Sequence, residues 1–473
     1  MKKRSNGNKF ILIILIILLI FALYAYYVDG NTLNFNNEDI EEIEYINDDI
    51  EIEESNVDEK ENVEKNEIED IVKEEKVKET KKDEVVENKV ETKLNVSPYL
   101  NNVTNNTGIV IKEGWQNIIT TYLDLYTESL ITLESKDVSN LFTSPKGIEA
   151  YLVNTIIDFK VKHDKMQKND MSLSEASYDI EYTNVSIEGN RIKIKFLEND
   201  YYKFKFMNNI SKVFDVETTI MLRKENGKYT IDYIRTGRDH YVMFTDIIDT
   251  DKDRKSDIDK LKAKYLSWIQ DEANENARLL EEVNKKDYQP KSCNHEYDRD
   301  LATAYAMKYS DRRNSNYYDY SNDGGNCANY ASQVIYAGGI PMDIVGNYEW
   351  KYYGKELDTT NTKNGRSNSW TSTNYFYEYA KNNSGYGMCA DTDINIFYAL
   401  GGDVIQVGYD GFTHTAVVLN KIVKDDKIID ISINSNTVGL ENYPLLAYTY
   451  QNKRLIKILG YNDWYKLNFM VYL

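Results

Sequence analysis

At 473 residues the chain exceeds what one hydrophobic core usually serves, so two or three domains are expected. Its formal net charge is −20, but residues 38–92 alone hold 24 acidic and 8 basic side chains, which leaves about −4 for everything else. The acidity belongs to one segment, and with no Lys/Arg-rich patch beyond the N-terminal flank a nucleic-acid function does not fit.

Taken in chain order, residues 1–9 form a basic flank with Lys2, Lys3, Arg4 and Lys9, followed by an unbroken apolar run over residues 10–27. A run of about 18 apolar residues is near the minimum for a membrane-spanning helix. The competing reading is a cleaved signal, for which Leu23-Tyr24-Ala25 makes a poor cleavage site. Either way the basic flank stays inside, so the rest of the chain is expected outside the cytoplasm, on a single-pass anchor. Residues 28–96 are dense in Glu and Lys with few large apolar side chains, a composition that predicts a disordered acidic linker.

Residues 97–250 change to a globular pattern. Apolar spacing predicts helices over 115–133 and 148–159, then strands over 178–187, 191–197, 201–206, 213–223 and 229–235. Turn signals at Glu188-Gly189-Asn190 and Glu225-Asn226-Gly227 predict two hairpins. Helices followed by an antiparallel meander make this an α+β accessory domain, similar in outline to the SnoaL-like folds. His163 and His240 lack a surrounding cluster of metal-ligand spacing and read as structural residues. Residues 251–290 predict a connecting helix with Leu261, Tyr265, Trp268 and Ile269 on one stripe, and residues 291–473 form the last domain.

That last domain carries the chemistry. The chain has three cysteines, Cys293, Cys327 and Cys389, and an odd number in an exported protein leaves at least one thiol free or paired with another molecule. After Gly324-Gly325, the residues Cys327, Tyr330, Ala331, Val334, Ile335 and Gly338 fall on one helical face, so Cys327 opens a buried helix. Unpaired N–H groups at such a position favour a thiolate. The general base needs a second element. His414 begins a predicted strand over 413–419, its ring on the face of Ala416 and Val418. A third strand over 427–433 runs into Asn434-Ser435-Asn436-Thr437, where an Asn oxygen would orient the imidazole: Asn436, or Asn434 as the alternative. Cys293-Asn294-His295 has no further ligand at zinc spacing, and Cys389 reads as structural; no metal or cofactor is implied.

Tyr297-Asp298-Arg299-Asp300, the block from Gly324 to Gly339, Ser369-Trp370, the stretch from Gly402 to Gln406 and His414 resemble the putative amidase domain family of papain-like cysteine hydrolases, related to the NlpC-type and CHAP-type cell-wall enzymes. The resemblance covers about residues 297–473 and implies Cys327 as nucleophile and His414 as base. The chain departs from the family pattern at Asn326 and Ala328, usually Asp and Thr, and at Asn436, usually His. Tyr320, Asn326 and Trp370 are the remaining oxyanion or substrate candidates. The expected activity is cleavage of amide bonds through an acyl-enzyme, on cell-wall peptide or a surface peptide as the partner. The alternatives are acyl transfer and a non-catalytic wall-binding or scaffold module.

Overall fold

A computed structural model describes residues 97–244, 254–345, 349–355 and 365–463; the basic flank, apolar run and acidic linker expected over residues 1–96 lie outside them. Among the described residues no helix is long and apolar enough to cross a membrane.

The helices are α1 (Glu113–Thr132), α2 (Ile148–Met166), α3 (Asp239–Val242), α4 (Arg254–Val283), α5 (Arg299–Lys308), α6 (Cys327–Ala337), α7 (Asn368–Thr371) and α8 (Thr373–Asn382). The first strands are β1 (Leu100–Asn105), β2 (Leu173–Glu188), β3 (Arg191–Phe204), β4 (Ser211–Glu225) and β5 (Lys228–Thr236). Both turn signals close hairpins, β2–β3 and β4–β5, with Asn226 and Gly227 at positive φ as a tight turn requires. Two predicted strands, 191–197 and 201–206, are one strand, β3. Glu198-Asn199-Asp200 looks like a turn because it is polar, yet the even-numbered side chains from Ile192 to Phe204 all point into the core. Glu198 and Asp200 keep that alternation because the buried Arg238 guanidinium meets both carboxylates. β1, which pairs parallel with β2, carries the polar sequence LNNVTN and was not predicted.

The later strands are β6 (His295–Glu296), β7 (Gly387–Thr392), β8 (Val404–Gly408), β9 (His414–Lys424), β10 (Lys427–Asn436), β11 (Gly439–Pro444) and β12 (Asn452–Asn462). All twelve strands join one mixed sheet in the order β1-β2-β3-β4-β11-β10-β9-β8-β12-β6, with β5 on β4 and β7 on β12. The class is therefore α+β. The link between the two halves is the antiparallel pairing of Lys212–Phe214 in β4 with Gly439–Glu441 in β11, reinforced by an ion pair between Lys212 and Glu441 at 2.7 Å.

Alternation along the central strands divides the core in two. Val417 and Leu419 of β9 face a core built with Tyr330, Ala331, Val334 and Ile335 of α6. Ala416 and Val418, with Ile431 and Ile433 of β10, face the other core, which also contains α1, α2 and the β2–β5 meander. Helix α4 joins that second core through its predicted stripe, with the Tyr265 ring 5.9 Å from Phe159 and 5.3 Å from Phe244.

Cys293 and Cys389 are joined in a disulfide, Cα atoms 6.1 Å apart, which ties the segment before β6 to β7 and leaves Cys327 as the free thiol. Cys389 is thus structural, as the sequence indicates, and its partner is Cys293. No local spacing signals a bridge across 96 residues.

Candidate active site

Helix α6 starts at Cys327 because the chain ahead of it turns sharply. Gly324 and Gly325 both have φ above +100°, a region closed to most side chains, and they bring the chain round so that Asn326 stands at the cap position. Cys327 is buried and hydrogen-bonded to the ring of His414, and its sulfur also accepts from the backbone N–H groups of Thr415 and Ala328. Burial by itself would raise the thiol. The positive charge and hydrogen bond of His414, helped by the two N–H groups, outweigh it and bring the pKa down to about 7.

His414 lies at the first position of β9 and is itself buried. Its Nε2 meets the hydroxyl of Ser435 at 2.8 Å, which leaves Nδ1 to the thiol. The rings of Tyr448, at 6.0 Å and edge-on, and Tyr450, at 6.4 Å and stacked, flank the imidazole. A thiol of lowered pKa, a hydrogen-bonded imidazole and an orienting hydroxyl are the parts needed for nucleophilic attack on a carbonyl followed by protonation of the departing group. Residues 296–459 match the family model described as Putative amidase domain. That description points to amide hydrolysis, at a general level, for residues 296–459. Uncharacterized protein YhbB of Bacillus subtilis (strain 168) is 32% identical over 129 residues, which are 27% of this chain and 38% of that protein. The chain therefore spans little more than a third of the length of the relative it matches.

One expectation for the amidase domain needs correction. Neither Asn436 nor Asn434 orients His414. The Nδ2 of Asn436 donates to the carbonyls of Tyr309 at 2.6 Å and Arg312 at 3.0 Å, and its Oδ1 accepts from Asn326 at 2.6 Å. Asn434 donates to the carbonyl of Ala306 and accepts from the Asn442 N–H. The reason is strand parity. In the antiparallel β9–β10 pair, Ile433 stands opposite Val418 and Asn434 opposite Val417. Ile433 and Ser435 therefore share a face with Val418, Ala416 and His414, whereas Asn434 and Asn436 point to the opposite face.

The remaining candidates separate. Asn326 is buried in a network: its Oδ1 accepts from Asn329 at 2.7 Å and from the Tyr320 N–H, and its Nδ2 holds Asn436. Trp370 is fully buried, and its Nε1 donates to Asn329 at 2.8 Å. Both are held in the hydrogen-bond network around the start of the Cys327 helix. Tyr320 differs. Its ring packs beside Tyr318 and under Arg366, while its hydroxyl is buried with no hydrogen-bond partner among the described residues. An unmatched buried hydroxyl costs about 1–3 kcal/mol, and among the three oxyanion candidates Tyr320 is the one whose side-chain donor makes no hydrogen bond among the described residues. Tyr320→Phe should therefore raise the melting temperature by a few degrees while lowering kcat about 10- to 100-fold, measured by calorimetry and turnover on one preparation. A fall in both would make Tyr320 a packing residue only.

The two histidines of the first half are structural, as expected. His163 bonds Asp164 at 2.8 Å, and His240 lies between Asp239 at 2.9 Å and the Tyr126 hydroxyl at 3.1 Å. Cys293 is committed to its disulfide, and His295 stacks on Tyr461.

Proposed function

We propose that the protein is a cysteine amidase of papain-like mechanism that works outside the cytoplasm on peptide amide bonds of the cell wall or cell surface. The observation that carries this reading is the Cys327–His414 hydrogen bond at the start of α6, with the thiol brought down to about 7. In the first half-reaction the thiolate sulfur attacks the carbonyl carbon, and the imidazolium proton passes to the leaving amine. Water then enters, His414 takes its proton, and the thioester breaks to release the acid and restore the thiol. Backbone N–H groups at the helix start and the free Tyr320 hydroxyl are the candidate oxyanion donors. Ser435 keeps the imidazole oriented. The Cys293–Cys389 disulfide supports an oxidising compartment, as does the apolar run over residues 10–27 that would serve as a single-pass anchor.

The test is to incubate the full-length protein with purified peptidoglycan and with a peptide library, and to identify new termini by mass spectrometry. Cleavage that disappears in Cys327→Ala is the expected result. New amide bonds in the presence of added amines would move the reading to acyl transfer. Retention of the wall polymer without new termini, in wild type and variant alike, would replace it by a binding module.

A further inference from the structure

The face of the sheet that carries His414 is not open to solvent; it belongs to the core shared with the first half of the chain. Within that core is a cavity of roughly 70 Å³. Leu440 lines it, and Leu440 is the cross-strand partner of Ser435 in the β10–β11 pair, so the two side chains share a face. Tyr448 and Tyr450 line it as well, and these rings flank the His414 imidazole. Its far wall comes from the first half, through Leu130 of α1 and Val216 of β4. Val242, 44% exposed, is part of the lining and marks its mouth.

The cavity's chemistry restricts the occupant. The charged groups in its wall are already engaged: Arg238 with Asp200 at 2.6 Å, Lys160 with Asp164 at 2.7 Å, and Asp239 with the His240 ring at 2.9 Å and with the hydroxyl and N–H of Thr449. An ionic occupant would have to displace one of these bonds, whereas the tyrosine rings and aliphatic side chains suit an apolar one. A cavity of about 150 Å³ accommodates a benzene ring, so 70 Å³ suits a few methyl-sized groups. Asp239 also fixes the wall nearest the catalytic pair, because Thr449, which it holds, stands between Tyr448 and Tyr450.

We infer that this cavity is the specificity pocket of the amidase site: it takes the small uncharged side chain, alanine- to valine-sized, on the acyl side of the scissile bond. This deepens the proposed function and rests on it. The first half of the chain thereby supplies one wall of the substrate site.

The test compares acetyl-X aminocoumarin amides, with X as Gly, Ala, Val, Trp, Asp or Lys, on the full-length protein. Ala and Val should exceed the other four in kcat/KM by about tenfold or more, the range a hydrophobic pocket gives per one or two methylenes. Leu130→Ala enlarges the cavity and should raise the Trp-to-Ala ratio at least tenfold; Val438 also lines the cavity, and Val438→Phe narrows it and should lower the Val-to-Gly ratio by a similar factor. Ratios within one preparation are insensitive to partial unfolding. An unchanged ranking in both variants overturns the pocket. A parallel series of acetyl-X chloromethyl ketones reads the rate of Cys327 alkylation without any turnover. Side-chain-dependent alkylation with no amide cleaved would sink the amidase reading and keep the pocket, and rates independent of X would overturn the pocket even in an active enzyme.

Discussion

Cys327 should alkylate with an apparent pKa near 7, and its reactivity should depend on His414. At pH 6 a thiol of pKa 7 holds roughly 30-fold more thiolate than an ordinary thiol near 8.5. The sign follows from what opposes what. Desolvation of the buried sulfur pushes the pKa up, and the charge and hydrogen bond of His414 push it down. His414→Ala removes the larger part of the downward contribution and leaves burial opposed only by the Thr415 and Ala328 N–H groups, so the variant's thiol should titrate well above 7 and label at pH 6 at least tenfold more slowly. Turnover should fall by on the order of 10⁴ in Cys327→Ala and in His414→Ala, with little further loss in the double variant, because the two residues act as one unit. Ser435→Ala removes one neutral hydrogen bond, about 1 kcal/mol, and should cost only five- to tenfold. Residue-resolved alkylation by mass spectrometry from pH 5 to 9 decides the matter. Cys293 and Cys389 serve as internal controls, unreactive until reduced. If Cys327 titrates near 8.5 in wild type and His414→Ala alike, the catalytic pair does not exist.

The placement of Cys327 and His414, the proposed nucleophile and base, was legible because each is specified locally. Gly324-Gly325 followed by an apolar helical stripe places Cys327 at a helix start whatever the rest of the chain does, and the polar turn before His414 sets it at the head of a strand. The orienting residue was not legible, because it depends on a pairing register between two strands. Asn434, Ser435 and Asn436 are all polar, and choosing among them needs to know which face of β10 meets His414. Fixing one residue pair, Ile433 opposite Val418, selects Ser435 at once. The same register bears on two of the three departing residues, Asn326 and Asn436. Asn326 and Asn436 are hydrogen-bonded to each other at 2.6 Å, on the face away from the imidazole, so they form one structural contact that does not touch the Cys327–His414 pair. Long-range features failed for a related reason. The Cys293–Cys389 bridge, and the merging of two predicted strands into β3, depend on partners 96 and about 40 residues away.

Arg238→Met should destabilise the protein by about 3–5 kcal/mol, because it leaves two carboxylates buried without their cation. Glu198 and Asp200 lie on the core face of β3, each about 1% exposed, and Arg238 reaches both while its guanidinium rests 4.4 Å from the Tyr126 ring. Burial pushes Glu198 well above the usual carboxylate range against the pull of Arg238, and the neighbouring Asp200 charge adds to the rise. Removing the cation takes away what opposes that rise, so the Glu198 pKa should move further up and Asp200 should lose its ion pair. Replacing all three residues together, Glu198→Met, Asp200→Leu and Arg238→Met, should restore most of the loss, because an apolar trio of similar volume has no charge to desolvate. Chemical denaturation of the single and triple variants, with the slope checked for two-state behaviour, measures both effects. A single variant as stable as wild type would mean that water reaches the cluster. A triple variant no better than the single would show that the three residues contribute through packing of β3 against α1, and the merged strand would then need another explanation than its buried ion pair.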